Sequence, residues 1–426
     1  MLATVHPGSI HGAVTIPPSK SMAHRAIICA SLAKSTSHIS NVDYSDDIRT
    51  TIEAMRLLGA VIAEDGSTLQ ITGIQNLEAV TPLHVDCMES GSTLRFLIPI
   101  ASLTKQEVTF TGRNRLLQRP QDVYEQLFRK QQLTFAHTSE QLCIKGALQP
   151  DDFTVTGSIS SQFLSGLLFT LPLLARASTL TVLPPFESQS YVDLTIQLLA
   201  QFGIIIQKKQ EHDTVIYHIP GNQQYQSIDY TVEGDYSQLA FFAVLGAIHQ
   251  PVICLGVRHD SLQGDKKILS FLEQCQAQVT KVEHGYTIQP GTLQGSALDL
   301  ADCPDLGPIL MILGMFCKTP LTLENIARLR LKESDRILAM QEGLRQLGVQ
   351  TEVTENTVTI YPRPTQTNTP SLPLSGHKDH RIVMSFAIAA AASVPLTIQD
   401  AQATSKSYPG FFHDLMQLGI EVELHD

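Results

Sequence analysis

Seven cations recur at one kind of position in this sequence, the start of an apolar helical segment. They are Lys20 and Arg25 in PPSKSMAHR, Arg119 in LLQRPQDVY, Lys332 and Arg336 in RLKESDRIL, Arg381 in GHKDHRIVMSF and Lys406 in TSKSYPGFF. Hydroxyl and amide residues mark further starts: Ser21 beside Lys20, Ser90, Gly91 and Ser92 in MESGSTLRFL, and Ser160, Ser161 and Gln162 in GSISSQFLSGLL. The first N–H groups of a helix have no intrahelical acceptor and favour an anion. Arginine grips carboxylate or phosphate with two parallel bonds, and lysine adds a compact charge. The chemistry open to such a set is the capture of small, highly charged anions. Each motif also has an ordinary reading. A Pro-Pro-Ser-Lys or Ser-Gly-Ser start is commonly a capped, solvated first turn. Lys332 and Arg336, four apart on one helical face with Glu333 about 100° round, would make a surface salt-bridge ladder. Seven repetitions along one chain favour a shared anionic site over independent coincidences. Asp379 and His380 lack further ligands at metal spacing, so no metal is expected there.

The elements that position these residues belong to a chain of 426 residues, which at roughly 150 residues per domain predicts two or three domains. With 41 acidic against 30 basic residues and a formal net charge of −11, the composition argues against a binder of nucleic acid or anionic membrane, which needs a positive surface. Seven cysteines, an odd number without a CxxC, fit a reduced compartment rather than a disulfide framework. The start MLATVHPGSIHG lacks the regions of a signal peptide, and the longest apolar run, FLSGLLFTLPLLA, is broken by Pro172 and reads as a core helix. A cytoplasmic protein is expected.

An internal repeat organises the whole. Six segments share an amphipathic helix that turns into a β-branched strand: IEAMRLLGAVI, YEQLFRKQQLTF, IQLLAQFGIII, LSFLEQCQAQV, MQEGLRQLGVQT and FHDLMQLGIEV. Their turns align at Gly59, Gln131, Gly203, Gln276, Gly348 and Gly419, separated by 72, 72, 73, 72 and 71 residues. A polar turn and a second strand follow all but the last, and the N-terminal LATVHPGSIHGAVTI is available to supply the missing strand. The reading is α/β, with two similar domains of three units each: 17–224, and 1–16 with 225–426. The polar stretch IPGNQQYQSIDYTVEGD is the second crossover, and two crossings predict a hinge with a ligand site beside it.

Together PPSKSMAHR, ESGSTLR, GSISSQFLSGLL, SYVDLT, LKESDR, DHR and SKSYPGFF, in this order from first strand to last helix, resemble the 5-enolpyruvylshikimate-3-phosphate (EPSP) synthase family. The resemblance implies two domains of three βαβαββ units, an inside-out α/β barrel. It implies a 3-phosphoshikimate 1-carboxyvinyltransferase: the enolpyruvyl group of phosphoenolpyruvate moves to the 5-hydroxyl of shikimate 3-phosphate and phosphate leaves, on the way to chorismate. It implies neither metal nor organic cofactor, two small-molecule substrates, and a monomer without nucleic-acid or membrane partners. Carried over by position, Lys20, Ser21, Arg25, Ser160, Ser161, Gln162, Ser188 and Tyr191 would hold shikimate 3-phosphate. Lys20, Gly91, Arg119, Gln162, Arg336, Arg381 and Lys406 would hold phosphoenolpyruvate. Asp305, in CPDLGPIL, and Lys332 would meet the substrate hydroxyls, and Glu333 the methylene carbon.

Under that resemblance the chemistry is acid–base. Asp305 is the candidate base for the 5-hydroxyl, Glu333 the candidate acid for the methylene carbon, and Lys20 and the other cations stabilise the departing phosphate. The chain departs from the common family pattern at Glu89 and Arg328, where many members have Asn, and at Phe96 and Ser190, where many have Pro. Two alternatives share the fold. The sister UDP-N-acetylglucosamine enolpyruvyl transferase usually has a Lys-Asn start and a loop cysteine, where this chain has SKSMAHR and QRPQ. A non-catalytic anion-binding protein would gain nothing from the two carboxylates.

Overall fold

Two kinds of helix alternate along the chain. YSQLAFFAVLGAI is apolar on every side, and Tyr236 to Ala247 are all buried, as a helix without a polar face must be. DVYEQLFRK buries Val123, Tyr124, Leu127 and Phe128 on one stripe and keeps the Glu125–Arg129 ion pair outside. The computed structural model describes residues 1–77, 82–364 and 370–425. In chain order the helices are α1 (Lys20–Leu32), α2 (Asp46–Leu57), α3 (Gly91–Ser102), α4 (Asp122–Lys130), α5 (Ser161–Thr170), α6 (Gln189–Gln201), α7 (Tyr236–Ile248), α8 (Lys267–Gln274), α9 (Gly307–Phe316), α10 (Arg336–Gln346), α11 (His380–Ala391) and α12 (Phe411–Gln417). The odd-numbered ones are the buried kind. α5 ends where Pro172 enters a 3-10 turn, Leu171–Leu173.

The described residues form six small sheets, one per repeat. Each full sheet has a parallel edge strand, a central strand and an antiparallel hairpin. In the second repeat these are Leu83–Asp86, Glu107–Thr111, then Gln141–Lys145 and Thr134–His137. Alternation sets the buried face: Glu107–Thr111 hides Val108 and Phe110. The sixth sheet borrows its inner strand from the N-terminus, because Leu2–Val5 pairs antiparallel with both Leu396–Gln399 and Val422–His425. The edge strands of the first and fourth repeats are exchanged. Ala13–Thr15 runs parallel to Val252–Leu255, and Asp229–Thr231 runs parallel to Thr36–Ser40.

That exchange sets where the chain divides into two compact units, Lys20–Val232 and Met1–Ser19 with Glu233–Asp426. The crossings fall after Ser19 and after Val232, three and eight residues beyond the boundaries read from the sequence. The Asp229–Thr231 strand and the bond from Asn41 Nδ2 to the Val232 carbonyl, 2.7 Å, keep residues up to 232 with the first repeat. The repeat turn is a left-handed residue at Gly59, Gly203, Gln276, Gly348 and Gly419. In the second repeat it is Gln132, with φ of 58°, rather than Gln131, with φ of −90°, so the aligned position there is one residue early. All seven cysteines are free thiols. Among the described residues, no helix is long and apolar enough to cross a membrane, and no group of His, Cys, Asp and Glu is arranged to hold a metal ion.

Candidate active site

In the Lys20–Val232 unit the buried helices α1, α3 and α5 begin at Lys20, Gly91 and Ser161. Arg25, one turn into α1, is buried, and among the described residues only neutral groups hold its guanidinium. Nε donates to Thr195 Oγ1 at 2.8 Å, Nη1 to the Ser21 carbonyl at 2.7 Å, and Nη2 to Ser165 Oγ and the Tyr191 carbonyl at 3.4 Å each. Its carbon lies 5.1 Å from the centre of the Phe96 ring and 6.0 Å from that of Tyr191. No carboxylate pairs with Arg25 among the described residues. Burial therefore pulls its pKa down to about 10, leaving it charged but poorly compensated. Burial, helped by Lys20 and Arg25, also keeps neighbouring His24 neutral, with Nδ1 2.7 Å from Thr51 Oγ1.

Arg119 follows a 3-10 turn, Leu116–Gln118, and its side chain lies against the bare Cα of Gly91. A Cβ at position 91 would stand 2.7 Å from Arg119 Nη1. Arg119 is also buried without a carboxylate partner among the described residues, and its Nε has no acceptor. Lys20 differs, since it pairs with Asp47 at 2.7 Å. Ser90 caps α3 by accepting from Thr93 N at 3.2 Å, and Ser160 caps α5 by accepting from Gln162 N at 3.3 Å. The capped-turn reading of both motifs is correct as far as it goes. Gln162 does more: Oε1 accepts from Arg95 Nη1 and Nε2 donates to Ser92 Oγ, both at 2.9 Å, so its amide is oriented. Ser188, left-handed with φ of 53°, leads into α6, and its carbonyl accepts from Tyr191 N at 3.1 Å.

The other unit gathers its candidates around Asp305, on a 3-10 turn (Pro304–Leu306) that runs into α9. Asp305 Oδ1 receives Lys332 Nζ at 3.0 Å and Arg336 Nη1 at 2.9 Å, and Oδ2 lies 3.3 Å from Arg381 Nη2. Burial alone would raise this carboxyl, but Arg381, Lys332 and Arg336 outweigh it and hold it well below the usual carboxylate range. Arg336 is fully buried among three carboxylates: Asp379 at 2.8 Å, Glu333 at 2.8 Å and Asp305. Burial would lower its pKa, and Asp379, Glu333 and Asp305 raise it above the ordinary value. Burial, partly opposed by Asp305, leaves Lys332 below the ordinary lysine value. Lys406 ends a 3-10 turn, Ala401–Lys406, and donates to the Lys378 carbonyl at 2.7 Å, next to Asp379.

One expectation needs correction. Lys332 does not share a helical face with Arg336, and Glu333 does not lie on that helix. Asp335 caps α10 by accepting from Leu338 N at 3.1 Å, so the helix starts only at Arg336, and Lys332 is extended, with ψ of −164°. Lys332 and Arg336 meet instead at Asp305, and Glu333 reaches Arg336 from the loop before the helix. The sequence reading also missed groups that hold the candidates in place. Asp379, weighed in the sequence as half of an Asp-His pair, caps α11, accepts from Ser334 Oγ at 3.0 Å and pairs with Arg336. Arg95 lay inside the quoted ESGSTLR motif. Ser237 and Asp265, in EGDYSQ and QGDKK, carried only the look of ordinary caps.

A family model described as EPSP synthase (3-phosphoshikimate 1-carboxyvinyltransferase) matches residues 5–415. The chain belongs to the EPSP synthase family. Among its relatives, a 3-phosphoshikimate 1-carboxyvinyltransferase of Clostridium kluyveri is 40% identical over 423 residues, covering 99% of this chain and 98% of the relative. One of Clostridioides difficile is 39% identical over 431 residues, covering 98% of each. Among solved structures, an EPSP synthase from Acinetobacter baumannii aligns with a TM-score of 0.79 at 24% identity, over 99% of this chain and 100% of that one. The enolpyruvyl transferase NikO from Streptomyces tendae aligns with a TM-score of 0.76 at 17% identity, over 99% and 98%. These two likenesses speak for the fold. Within the EPSP synthase family, the departures at Phe96 and Arg328 find places here. Phe96 supplies the ring beneath Arg25 and packs edge-on against Phe169 at 5.4 Å, and Arg328 Nη2 donates to the Ala301 carbonyl at 2.6 Å.

Proposed function

We infer that this chain transfers the enolpyruvyl group of phosphoenolpyruvate to the 5-hydroxyl of shikimate 3-phosphate and releases phosphate, as a member of the EPSP synthase family acting on small molecules. One observation supports it most directly: Arg25 and Arg119 are buried cations without a carboxylate partner among the described residues. A buried charge without a counter-ion is costly, and an anionic ligand removes that cost.

Arg25, with Lys20, Ser21, Ser160, Ser161, Gln162 and Ser188, binds shikimate 3-phosphate, with Tyr191 along its ring. Arg119 binds phosphoenolpyruvate beside Gly91, with Lys20, Gln162, Arg336, Arg381 and Lys406. Asp305 and Lys332 serve the 5-hydroxyl. Asp305 is ionised and accepts the hydroxyl proton as the oxygen attacks the central carbon of phosphoenolpyruvate, while Glu333 delivers a proton to the methylene carbon. In the second half-reaction Glu333 takes a proton back from that methyl group, the double bond reforms and phosphate leaves. The two carboxyl groups act in opposite protonation states. Three cations face Asp305 and favour its ionised form, while Glu333, paired with Arg336, takes up a proton before it acts as the acid. We take the enzyme to be a cytoplasmic monomer without nucleic-acid partners, which its acidic charge favours; size-exclusion chromatography tests the monomer.

The deciding experiment is phosphate release from phosphoenolpyruvate, with shikimate 3-phosphate, with UDP-N-acetylglucosamine and with neither. Release that requires shikimate 3-phosphate is expected. Release only with the nucleotide sugar, or with neither, rejects the reading.

A further inference from the structure

Arg381 and Arg336 both reach Asp305, yet their other contacts differ in kind. Arg336 makes direct ion pairs with Asp379 and Glu333. Arg381 Nη1 donates to the Asp305 backbone carbonyl at 3.1 Å, and Nη2 donates to Ser237 Oγ at 3.0 Å. A hydroxyl oxygen that accepts from a cation must send its own proton elsewhere, and Ser237 Oγ donates to Asp265 Oδ2. Asp265 is buried, on the 3-10 turn Gly264–Lys266 that precedes α8. Ser237 is held on its other side by the α7 cap, where Asp235 Oδ1 accepts from Ser237 N at 2.8 Å.

We propose that Asp265 is a positioning residue for phosphoenolpyruvate binding, acting on Arg381 through the Ser237 hydroxyl. This rests on the assignment of Arg381 to phosphoenolpyruvate. The chemistry explains why a hydroxyl stands between the charges. Arg381 already meets one carboxylate, Asp305 Oδ2 at 3.3 Å, and a second bonded directly to it would compete with the substrate for the remaining donors. A serine in between passes on only the orientation: Asp265 draws the Ser237 proton to itself, and the lone pair left facing Arg381 becomes a stronger acceptor. The guanidinium is held in one pose while its charge remains available to an incoming carboxylate or phosphate. Asp305 does not depend on this relay for its own place, because Lys332 and Arg336 also hold it.

Steady-state phosphate release on the full chain, with each substrate varied in turn, tests the relay through Ser237→Ala, Asp265→Ala, their double variant, Asp265→Asn and Arg381→Gln. Losing one charge-assisted bond predicts a rise of about tenfold in KM for phosphoenolpyruvate in each alanine variant, with KM for shikimate 3-phosphate changed less than about twofold. The double variant is no worse than the worse single one, since the two residues act in series. Asp265→Asn falls between wild type and Asp265→Ala, because its amide oxygen still accepts the Ser237 proton without the charge. Arg381→Gln raises KM for phosphoenolpyruvate more than any of them. If it does so while folded Ser237→Ala and Asp265→Ala leave that KM unchanged, the relay is overturned and the assignment of Arg381 stands. If Arg381→Gln itself leaves KM unchanged, the assignment fails and the relay with it. Should Asp265→Ala not fold, Ser237→Ala and Asp265→Asn decide. A merely structural Asp265 would lower the unfolding temperature without moving KM, which also overturns the proposal.

Discussion

Arg25 and Arg336 are both buried arginines near helix starts, and they live in opposite surroundings. Arg25 has hydroxyls, backbone carbonyls and aromatic faces, and its pKa is drawn down to about 10. Arg336 has Asp379, Glu333 and Asp305, and its pKa is pushed up. The first arrangement keeps positive charge available and suits capture of an anion. The second shares the cation among three carboxylates and fixes their places, so that Arg336 meets phosphoenolpyruvate with its charge already largely compensated. Seven cations that look alike in sequence thus divide by what their neighbours leave uncompensated.

The largest effect should come from Arg336. Arg336→Met leaves three carboxylates around a neutral side chain and should destabilise that unit by about 3–5 kcal/mol at pH 7 in denaturant unfolding. A loss under about 1 kcal/mol there would erase the contrast with Arg25. Arg25→Met removes a cation that has no carboxylate partner to strand among the described residues. It should raise KM for shikimate 3-phosphate by roughly 100-fold, the loss of a charged contact of about 1.5–3 kcal/mol, with a far smaller change in stability. Equal losses of stability in the two variants would break the comparison.

pH sharpens it. The folded pKa values of Asp305 and Asp379 are depressed, Asp379 because Arg336 outweighs its burial and the charge of Glu333. Their contribution to stability is therefore fully present above the unfolded carboxylate value and is lost as pH falls through the folded one. Below about pH 4, wild-type stability should decline by up to about 1.4 kcal/mol per pH unit for each group, and Arg336→Met should show a shallower decline. Parallel curves for the two proteins would count against the depressed values. The smallest effect is at Gly91. A methyl group there meets the end of the flexible Arg119 side chain at 2.7 Å, so Gly91→Ala should shift the guanidinium slightly. We expect KM for phosphoenolpyruvate to rise about fivefold, worth about 1 kcal/mol, with KM for shikimate 3-phosphate unchanged.

Much of the fold was legible because the repeat is written in hydrophobic period and turn residues, both local properties. The left-handed turns at Gly59, Gly203, Gly348 and Gly419 and the N-terminal strand completing the sixth sheet follow from that pattern. The slip at Gln131 arose because glutamine carries no conformational mark, so the left-handed place could fall on Gln132 instead. In the site, LKESDR showed the right residues and suggested the wrong geometry. Helical spacing was assumed for Lys332 and Glu333, whereas the Asp335 cap stops the helix from reaching them.

By itself the sequence determined the α/β repeat, its six copies, the family and the list of charged and hydroxyl residues at helix starts, since each depends on residue type and spacing along the chain. Tertiary structure alone decided which of those charges is balanced. Asp379 reaches Arg336 across 43 positions and Asp305 reaches Arg381 across 76, while Arg25 finds Thr195 across 170 and no carboxylate at all among the described residues. Electrostatic interaction falls with distance through space and is indifferent to distance along the chain, so compensation is a property of the folded molecule.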